Sequence, residues 1–533
     1  MAVAGHATPR RKTLLYPLLF LGGIALVVFL GFYLIDWYLL KPKENPFRIL
    51  FQFDIDTLQN ALGNMAQVVA AILGIVITVV SIVVQLAATR YTPRVADMFF
   101  RDRTNLGVLG FFVVACINAV WVSVSVDKDF LPRVSIIFTM LLVTASLLMM
   151  VPYFAYVFDF LDPDRVVGRI QEQAVQSALG QGPRSAAGGD INERQRKALT
   201  GVEQLSDIAI NATSQKDKAI ASGSVDAIKD LATTYLKQKK RVPEAWFHIG
   251  PAIHQNPDFV SLAAESIEDI DKKQIWLEYK ILRQYQAIYS ESLGEMPDLN
   301  YLIAINTRYI GEAALAAGDG EALALAVKFF NTYLRATLNA QNIRTAYNIL
   351  NQYRQLAERA LEMKQTALVS DIAFFFKYYA QIAHNFDLGF VTETVAYDLA
   401  TLCERAFEMQ APSHDTVLQL LLEVDKEPES QAQEKSLRGV RKAQAKLASF
   451  YLVAQQRDKR GEAYARQIYE DMQDEQPERL RSICDELLRV ESKDFWEVID
   501  RGTNFDYVDA TRKAQLKVFF SWFPSLNKET VHA

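Results

Sequence analysis

The stretch SIVVQLAATRYTPRVADMFFRDR, Ser81–Arg103, decides how the chain is read. An apolar run carrying Ser81 and Gln85 at helical spacing stops at Arg90, Pro93 and Arg94, and Arg101 and Arg103 follow. Upstream the run continues without a charge to Thr57, giving 33 uncharged residues between Asp56 and Arg90. A helix needs about 20 such residues to cross a bilayer. This one is long enough to cross, with part of its length tilted or projecting.

Three more uncharged runs meet the same criterion: Thr13–Ile35, Thr104–Val126 and Val134–Phe158, of 23, 23 and 25 residues. They predict four spans, at about 14–36, 61–89, 105–126 and 134–158, in a membrane region of residues 1–160. The first run is too long for a removable signal peptide and has no small-residue cleavage site, so it reads as an anchor that stays. Arginine-rich flanks stay on the cytoplasmic side. Arg10, Arg11 and Lys12 precede the first span, and Arg90, Arg94, Arg101 and Arg103 lie in the second loop. Lys41, Lys43 and Arg48 of the first loop are balanced by Glu44, Asp54 and Asp56, and the third loop has only Lys128 and Arg133. The expected topology is therefore four spans with both termini and the second loop on the cytoplasmic side.

The remainder is polar. Residues 1–158 carry a net charge of +4 and the rest −9, within a total of −5. An acidic cytoplasmic region argues against a nucleic-acid partner, which would meet a basic face. Cys116, Cys403 and Cys484 form no CxxC pair and imply neither a disulfide framework nor a zinc site. His248 and His254 are separated by Gly250 and Pro251, which break any helical ligand spacing, so the FHIGPAIH stretch reads as a loop rather than a metal site.

Past Phe158 the pattern is helical throughout. Asp162-Pro163-Asp164 starts a helix with Asp162 as its cap, and Gly180–Asp190 has linker composition. Helical segments fall near Gly201–Ile210 and Asp226–Lys239, and a longer pattern spans Phe259–Ser290. From Asp298 turn signals recur near Gly318, Gln341, Gln365, Asp387 and Ala411, at steps of 22 to 24. Such a step makes a helical hairpin of about 46 residues, the size of HEAT or armadillo pairs. Asp425–Ser436 is a charged break, and helices then resume. The expected fold is all-α: a four-helix transmembrane region followed by a cytoplasmic helical domain ending in an α-solenoid-like stack of hairpins. Its divisions are a juxtamembrane helical domain at 161–295, the hairpins at 296–424 and a C-terminal helical region at 437–533.

Catalytic signatures are missing. There is no GxxxxGK[ST] loop, no HExxH and no GxSxG elbow. Asp54/Asp56 and Asp162/Asp164 are explained by a solvated loop and a helix cap before any metal need be invoked. The sequon Asn211-Ala212-Thr213 lies on the side expected to be cytoplasmic and so reads as silent. No enzyme, cofactor or metal is expected.

The second span carries the information. Asn60, Asn64, Gln67, Ala71, Gly74, Thr78, Ser81, Gln85 and Thr89 follow one another at steps of three and four, which keeps them on one face of a helix. Val69, Leu73, Val76, Val80, Val83 and Val84 form the opposite face, which suits lipid. An amide turned to hydrocarbon costs several kcal/mol, so the polar stripe must meet protein or water. Small residues and interhelical amide hydrogen bonds at a tight helix contact are one reading. Copies of this helix around a water-filled path are the other, and it requires a homo-oligomer. The arginines mark an elbow: the span ends near Tyr91, and a short helix starts at Pro93 along the headgroup layer. Arg90, Arg94, Arg101 and Arg103 then set topology and bind lipid, or ring a pore mouth and attract anions.

The segment VVQLAATRYTPRVADMFFRDRTNLGVLGFF, with QLSDIAINATSQKDKAIASGSVDAIKDLA at Gln204–Ala232, resembles a bacterial family of predicted membrane proteins with a domain of unknown function. Its members pair a four-span region with a cytoplasmic helical region and carry a similar Pro-Arg…Arg-Asp segment after the second span. They usually have Asn-Asp-Pro near Lys216–Lys218, which this chain lacks. The resemblance covers about the first 290 residues and implies topology and source, not an activity. Two functions follow as expectations: a channel-like homo-oligomer with the second span at its axis and the cytosolic domain as regulator, or a membrane-anchored scaffold whose helical stack faces a cytosolic protein partner.

Overall fold

The structure is a computed structural model that describes residues 11–40, 54–90, 93–127, 131–181, 190–424, 431–495, 500–502 and 504–527. The loop charges Lys41, Lys43, Glu44, Arg48 and Lys128, the pair Tyr91–Thr92, most of the Gly180–Asp190 linker and the first half of the Asp425–Ser436 break lie outside these residues. Two compact units divide at Val166/Val167. Among the described residues the chain is helical, without strands.

In the first unit α1 (Arg11–Leu40), α2 (Ile55–Arg90), α4 (Arg103–Ser125) and α5 (Arg133–Phe160) are long and apolar enough to cross a membrane. At 1.5 Å per residue, the 36 residues of α2 extend about 54 Å, more than a bilayer core. The short α3 (Pro93–Phe100) separates α2 from α4. Pro93 stands at its first position, where the missing N–H is no loss.

Helices α2, α4 and α5 pack on one another, and α1 lies against α5. Val69, Ala115 and Val143 meet at mid-bundle, while Leu58, Leu62, Val122, Val126 and Ile136 meet near one end. Val76 is fully buried, and Val80 and Val84 nearly so, each presented by α2 to the interior. The valine face is therefore turned into the bundle and not, as its composition suggested, outward to lipid. Branched side chains on α2 interlock with small ones on α4 such as Ala115 and Ala119, both fully buried. Thr139 Oγ1 donates to Asn118 Oδ1 at 2.8 Å, a polar tie between α4 and α5.

The second unit is built of helix pairs. After α6 (Pro163–Leu179) come α7 (Ile191–Ser214), α8 (Lys218–Gln238), α9 (Ala264–Lys272), α10 (Trp276–Glu295), α11 (Pro297–Ala317), α12 (Gly320–Asn339) and α13 (Ile343–Glu362). Next come α14 (Thr366–Asn385), α15 (Gly389–Glu408), α16 (His414–Leu422), α17 (Gln431–Ala454), α18 (Arg460–Met472), α19 (Pro477–Arg489) and α20 (Ala510–Ser521). They form two layers. In one, α7, α10, α12, α14 and α16 each pack on the next; in the other, α8, α11, α13, α15 and α17 do so.

The turns explain the regularity. Gly318, Gln341, Lys364, Asp387 and Gln410 all have positive φ, between 51° and 70°, and lie 23 residues apart. At each, two backbone N–H groups fold back on the helix end. Gln341 N–H reaches Leu338 O and Asn342 N–H reaches Thr337 O, and the same pair recurs at Lys364/Gln365 and Gln410/Ala411. This left-handed C-cap satisfies carbonyls that a helix end otherwise leaves unpaired. The residue after it can cap the next helix: Asp319 accepts from Ala322 N–H and Asn342 from Thr345 N–H. One repeated turn thus ends one helix and starts the next. Lys216 (φ 60°) and Gln274 (φ 55°) repeat the device earlier in the chain. The turn at Gln274 breaks the Phe259–Ser290 pattern into a short turn of helix, then α9, then α10.

Candidate functional site

The polar stripe is a surface feature of the first unit. Asn60, Asn64, Gln67, Ala71, Gly74, Thr78, Ser81, Gln85 and Thr89 are all exposed. The side-chain amides of Asn60, Asn64, Gln67 and Gln85 have no hydrogen-bond partner among the described residues. A Cβ built on Gly74 would meet nothing within 4 Å. Thr78 returns its hydroxyl to Gly74 O at 2.8 Å, and Thr89 donates to Leu86 O at 2.9 Å. Exposed Ile75, Ile82 and Leu86 flank the stripe.

Elsewhere the bundle presents apolar side chains outward. These include Val27 and Phe32 on α1, Val114 and Trp121 on α4, and Leu141 and Phe158 on α5. Such surfaces need only lipid. The α2 stripe is the exception among the described helices of this unit, because its outward amides lack a partner that hydrocarbon could supply.

The arginine end is tied together by a knot of side chains that periodicity did not single out. Phe99 of α3 is fully buried and meets Phe160 edge-on, ring centroids 5.2 Å apart. Asn105, also fully buried, donates from Nδ2 to Phe99 O at 3.3 Å and accepts from Tyr153 Oη at 2.6 Å. Asp102 caps α4 by accepting from Thr104 N–H, and it accepts the Tyr156 hydroxyl as well. This knot fixes the elbow against α4 and α5. Arg101 and Arg103 are exposed beside it. The backbone carries Arg90 to the end of α2 and Arg94 to the first turn of α3.

The second unit holds several buried charge clusters. Lys280, 1% exposed, donates to Glu203, Asp258 and Asn256. Lys239 bridges Glu278 and Asp319 at 2.6 and 2.7 Å. Burial works against the Lys239 charge, but the two carboxylates outweigh it and hold the ammonium above its ordinary range. Burial pushes Glu278 up despite that lysine. His414 sits between the Tyr451 hydroxyl, 2.6 Å away, and Asp415, and burial pulls its pKa down. Burial also pushes the Cys403 thiol up, away from thiolate chemistry. Among the described residues no group of three or more His, Cys, Asp or Glu side chains converges to hold a metal ion.

Four membrane-length helices followed by a helical unit define a membrane protein of the class the resemblance implied. Residues 10–275 match the family described as "Predicted membrane protein (DUF2254)", in line with the resemblance that the sequence carries. No curated protein and no solved structure matches the chain.

Proposed function

We propose that copies of the chain assemble in the bacterial inner membrane with α2 at the axis, so that the stripe from Asn60 to Thr89 lines a water-filled, channel-like path. The outward position of the stripe carries this reading. Its amides lack partners within the described chain, yet they lie along a helix that must pass through hydrocarbon. A second copy, or water enclosed by several copies, meets that need, and lipid does not. Arg101 and Arg103, with Arg90 and Arg94 on the same elbow, give such a path a basic mouth that favours anions. Both termini are then cytoplasmic and the second unit regulates the path. The reading assigns the chain no catalytic role.

Cysteine accessibility tests it. In a background with Cys116, Cys403 and Cys484 replaced, cysteines at Asn64, Gln67, Thr78, Ser81 and Gln85 should react with hydrophilic thiol reagents, while cysteines at Val114 and Leu141 should not. Those two are outward-facing and apolar, so they report lipid. Val69 and Val76 would be poor controls, because the bundle core shields them under either reading. Ser81→Leu or Gln85→Leu should lower conductance in planar bilayers with the oligomer intact on crosslinking. An unreactive stripe, with oligomers lost on leucine substitution, would mean a closed helix contact. It would leave the membrane-anchored scaffold in place of the pore.

A further inference from the structure

In the second unit three helices leave a cleft between them that the buried charge clusters do not fill. The left-handed turn at Gln274, φ 55°, separates short α9 from α10. Lys273, in that turn, joins α9 to α12: its ammonium lies 2.8 Å from Asp269 and 3.7 Å from Glu321. Beside this bridge α9, α10 and α12 line an open cleft of about 290 Å³.

Its floor is apolar. Ile270 of α9, Ile275 at the start of α10, and Leu325 and Phe329 of α12 are all buried there. Tyr279 of α10 forms a wall, its ring centroid 5.4 Å from that of Phe259 and 6.2 Å from that of Phe329. Those contacts hold the ring in place. Its hydroxyl has no hydrogen-bond partner among the described residues, and burial raises its pKa above the ordinary phenol value. The hydroxyl therefore stays protonated and can donate.

The rim carries two acids and two lysines. Asp269 and Glu321 share Lys273, so those three charges are spent on one another. Lys328 of α12 makes no ion pair among the described residues, and the Ser266 hydroxyl of α9 makes no hydrogen bond there. The groups the protein leaves unused are thus an ammonium and two hydroxyls around an aromatic floor. All three can donate, so they suit acceptor oxygens at one end of a flat apolar body. A cation would meet Lys328 and find no unshared carboxylate. At about 30 Å³ for each non-hydrogen atom, the share one water takes in the liquid, the cleft holds about ten such atoms.

We propose that the cleft between α9 and α12 binds a small aryl carboxylate, its ring on Phe329 and Tyr279 and its carboxylate at Lys328. The site uses the second unit alone and stands whether or not the spans enclose a path. Lys328 is exposed, so its ion pair is weak and the buried ring supplies most of the affinity. A bound ring adds an apolar tie between α9 and the helical stack, beside the Lys273 bridge.

The test uses the full chain in detergent and phenylacetate as probe, followed by saturation-transfer NMR. Binding should saturate with a Kd on the order of 1 mM, within reach of a ligand of about ten heavy atoms. Ala324→Trp, which plants a ring at the exposed mouth, should abolish it, and so separates the cleft from uptake by detergent. Lys328→Gln and Tyr279→Phe should each weaken binding about threefold. Lys328→Glu should lose phenylacetate and bind phenethylamine instead. Binding that does not saturate at millimolar probe, or that survives Ala324→Trp, overturns the proposal. So does a Lys328→Gln variant that binds phenylacetate as the natural chain does, or a natural chain that prefers phenethylamine. Should Ala324→Trp lose its helicity, the exposed Lys328→Glu decides: a reversed probe preference supports the site, and an unchanged one refutes it.

Discussion

Replacing the left-handed turn residues with glycine should stabilise the second unit, because the repeated turn holds residues with a Cβ where a Cβ is disfavoured. Gln341, Lys364 and Gln410 have φ of 52°, 60° and 51°, and their side chains are exposed. A left-handed conformation costs a non-glycine residue about 1–2 kcal/mol. Glycine removes that cost but loses about 0.5–1 kcal/mol through the greater freedom of the unfolded chain. Each substitution should therefore add about 0.5–1 kcal/mol. The three sit in separate loops, so the triple variant should gain roughly 1.5–3 kcal/mol. Gly318, already at φ 70°, supplies the opposite arm, and Gly318→Ala should lose about 1 kcal/mol. Urea unfolding of the full chain in detergent, followed by far-UV circular dichroism, measures both. A triple variant no more stable than the natural chain, together with a tolerated Gly318→Ala, would refute the cap as the source of the 23-residue rhythm.

Two further outcomes concern the same unit. Burial pushes Glu393 up to about 7 from 4.5; the carboxylates of Asp506 and Glu486 add to the rise, against Lys442 and Arg438. The folded state holds the extra proton between those two values, so stability is full below about 4.5 and falls as pH rises through about 7, by at most about 3 kcal/mol. Unfolding midpoints from pH 5 to 8 should slope less for Glu393→Gln, and an unchanged slope would reject the assignment. Gly461 packs its backbone against Tyr451 O, where an added Cβ would sit at 2.3 Å. Gly461→Ala should cost about 1–3 kcal/mol in the same urea assay, because a backbone carbonyl cannot swing aside; full tolerance would show that the turn after α17 is free to shift.

Much of the second unit was legible because water enforces amphipathicity. Apolar residues at steps of three and four had to turn inward, and turn signals near Gly318, Gln341, Gln365, Asp387 and Ala411 fell within one residue of the observed caps. The break at Gln274 was hidden, since apolar periodicity runs through Ile270 and Ile275 without a glycine or proline between them. Helices α7 and α8 join the same two layers but were not seen to belong there. The segment between α8 and α10 interrupts the 23-residue step that would have revealed them. The cleft beside α9 could not be singled out at all. Its walls, α9 and α12, are separated in the chain by α10 and α11, and no local period marks their meeting.

The membrane unit shows the opposite limit. Helical spacing grouped the polar residues of α2 on one face, but composition assigned the opposite, valine face to lipid, and the bundle buries it instead. In water the hydrophobic effect decides; between helices in lipid it does not act, because valine is as well solvated by acyl chains as by alanine. Packing and hydrogen bonds decide instead. On α4 and α5, Asn118 met Thr139 and Asn105 met Tyr153, while Ser125, Thr144 and Ser146 returned their hydroxyls to their own helix, so these residues are accounted for within one chain. The amides of the α2 stripe, Asn60, Asn64, Gln67 and Gln85, found no such partner among the described residues, and the valines of that helix took the interior. Had the stripe turned inward, intrachain hydrogen bonds would have explained it and no second copy would be needed. The case for assembly therefore rests on the direction in which α2 faces, a quantity that the sequence pattern leaves open and the packing of Val69, Val76 and Val80 settles.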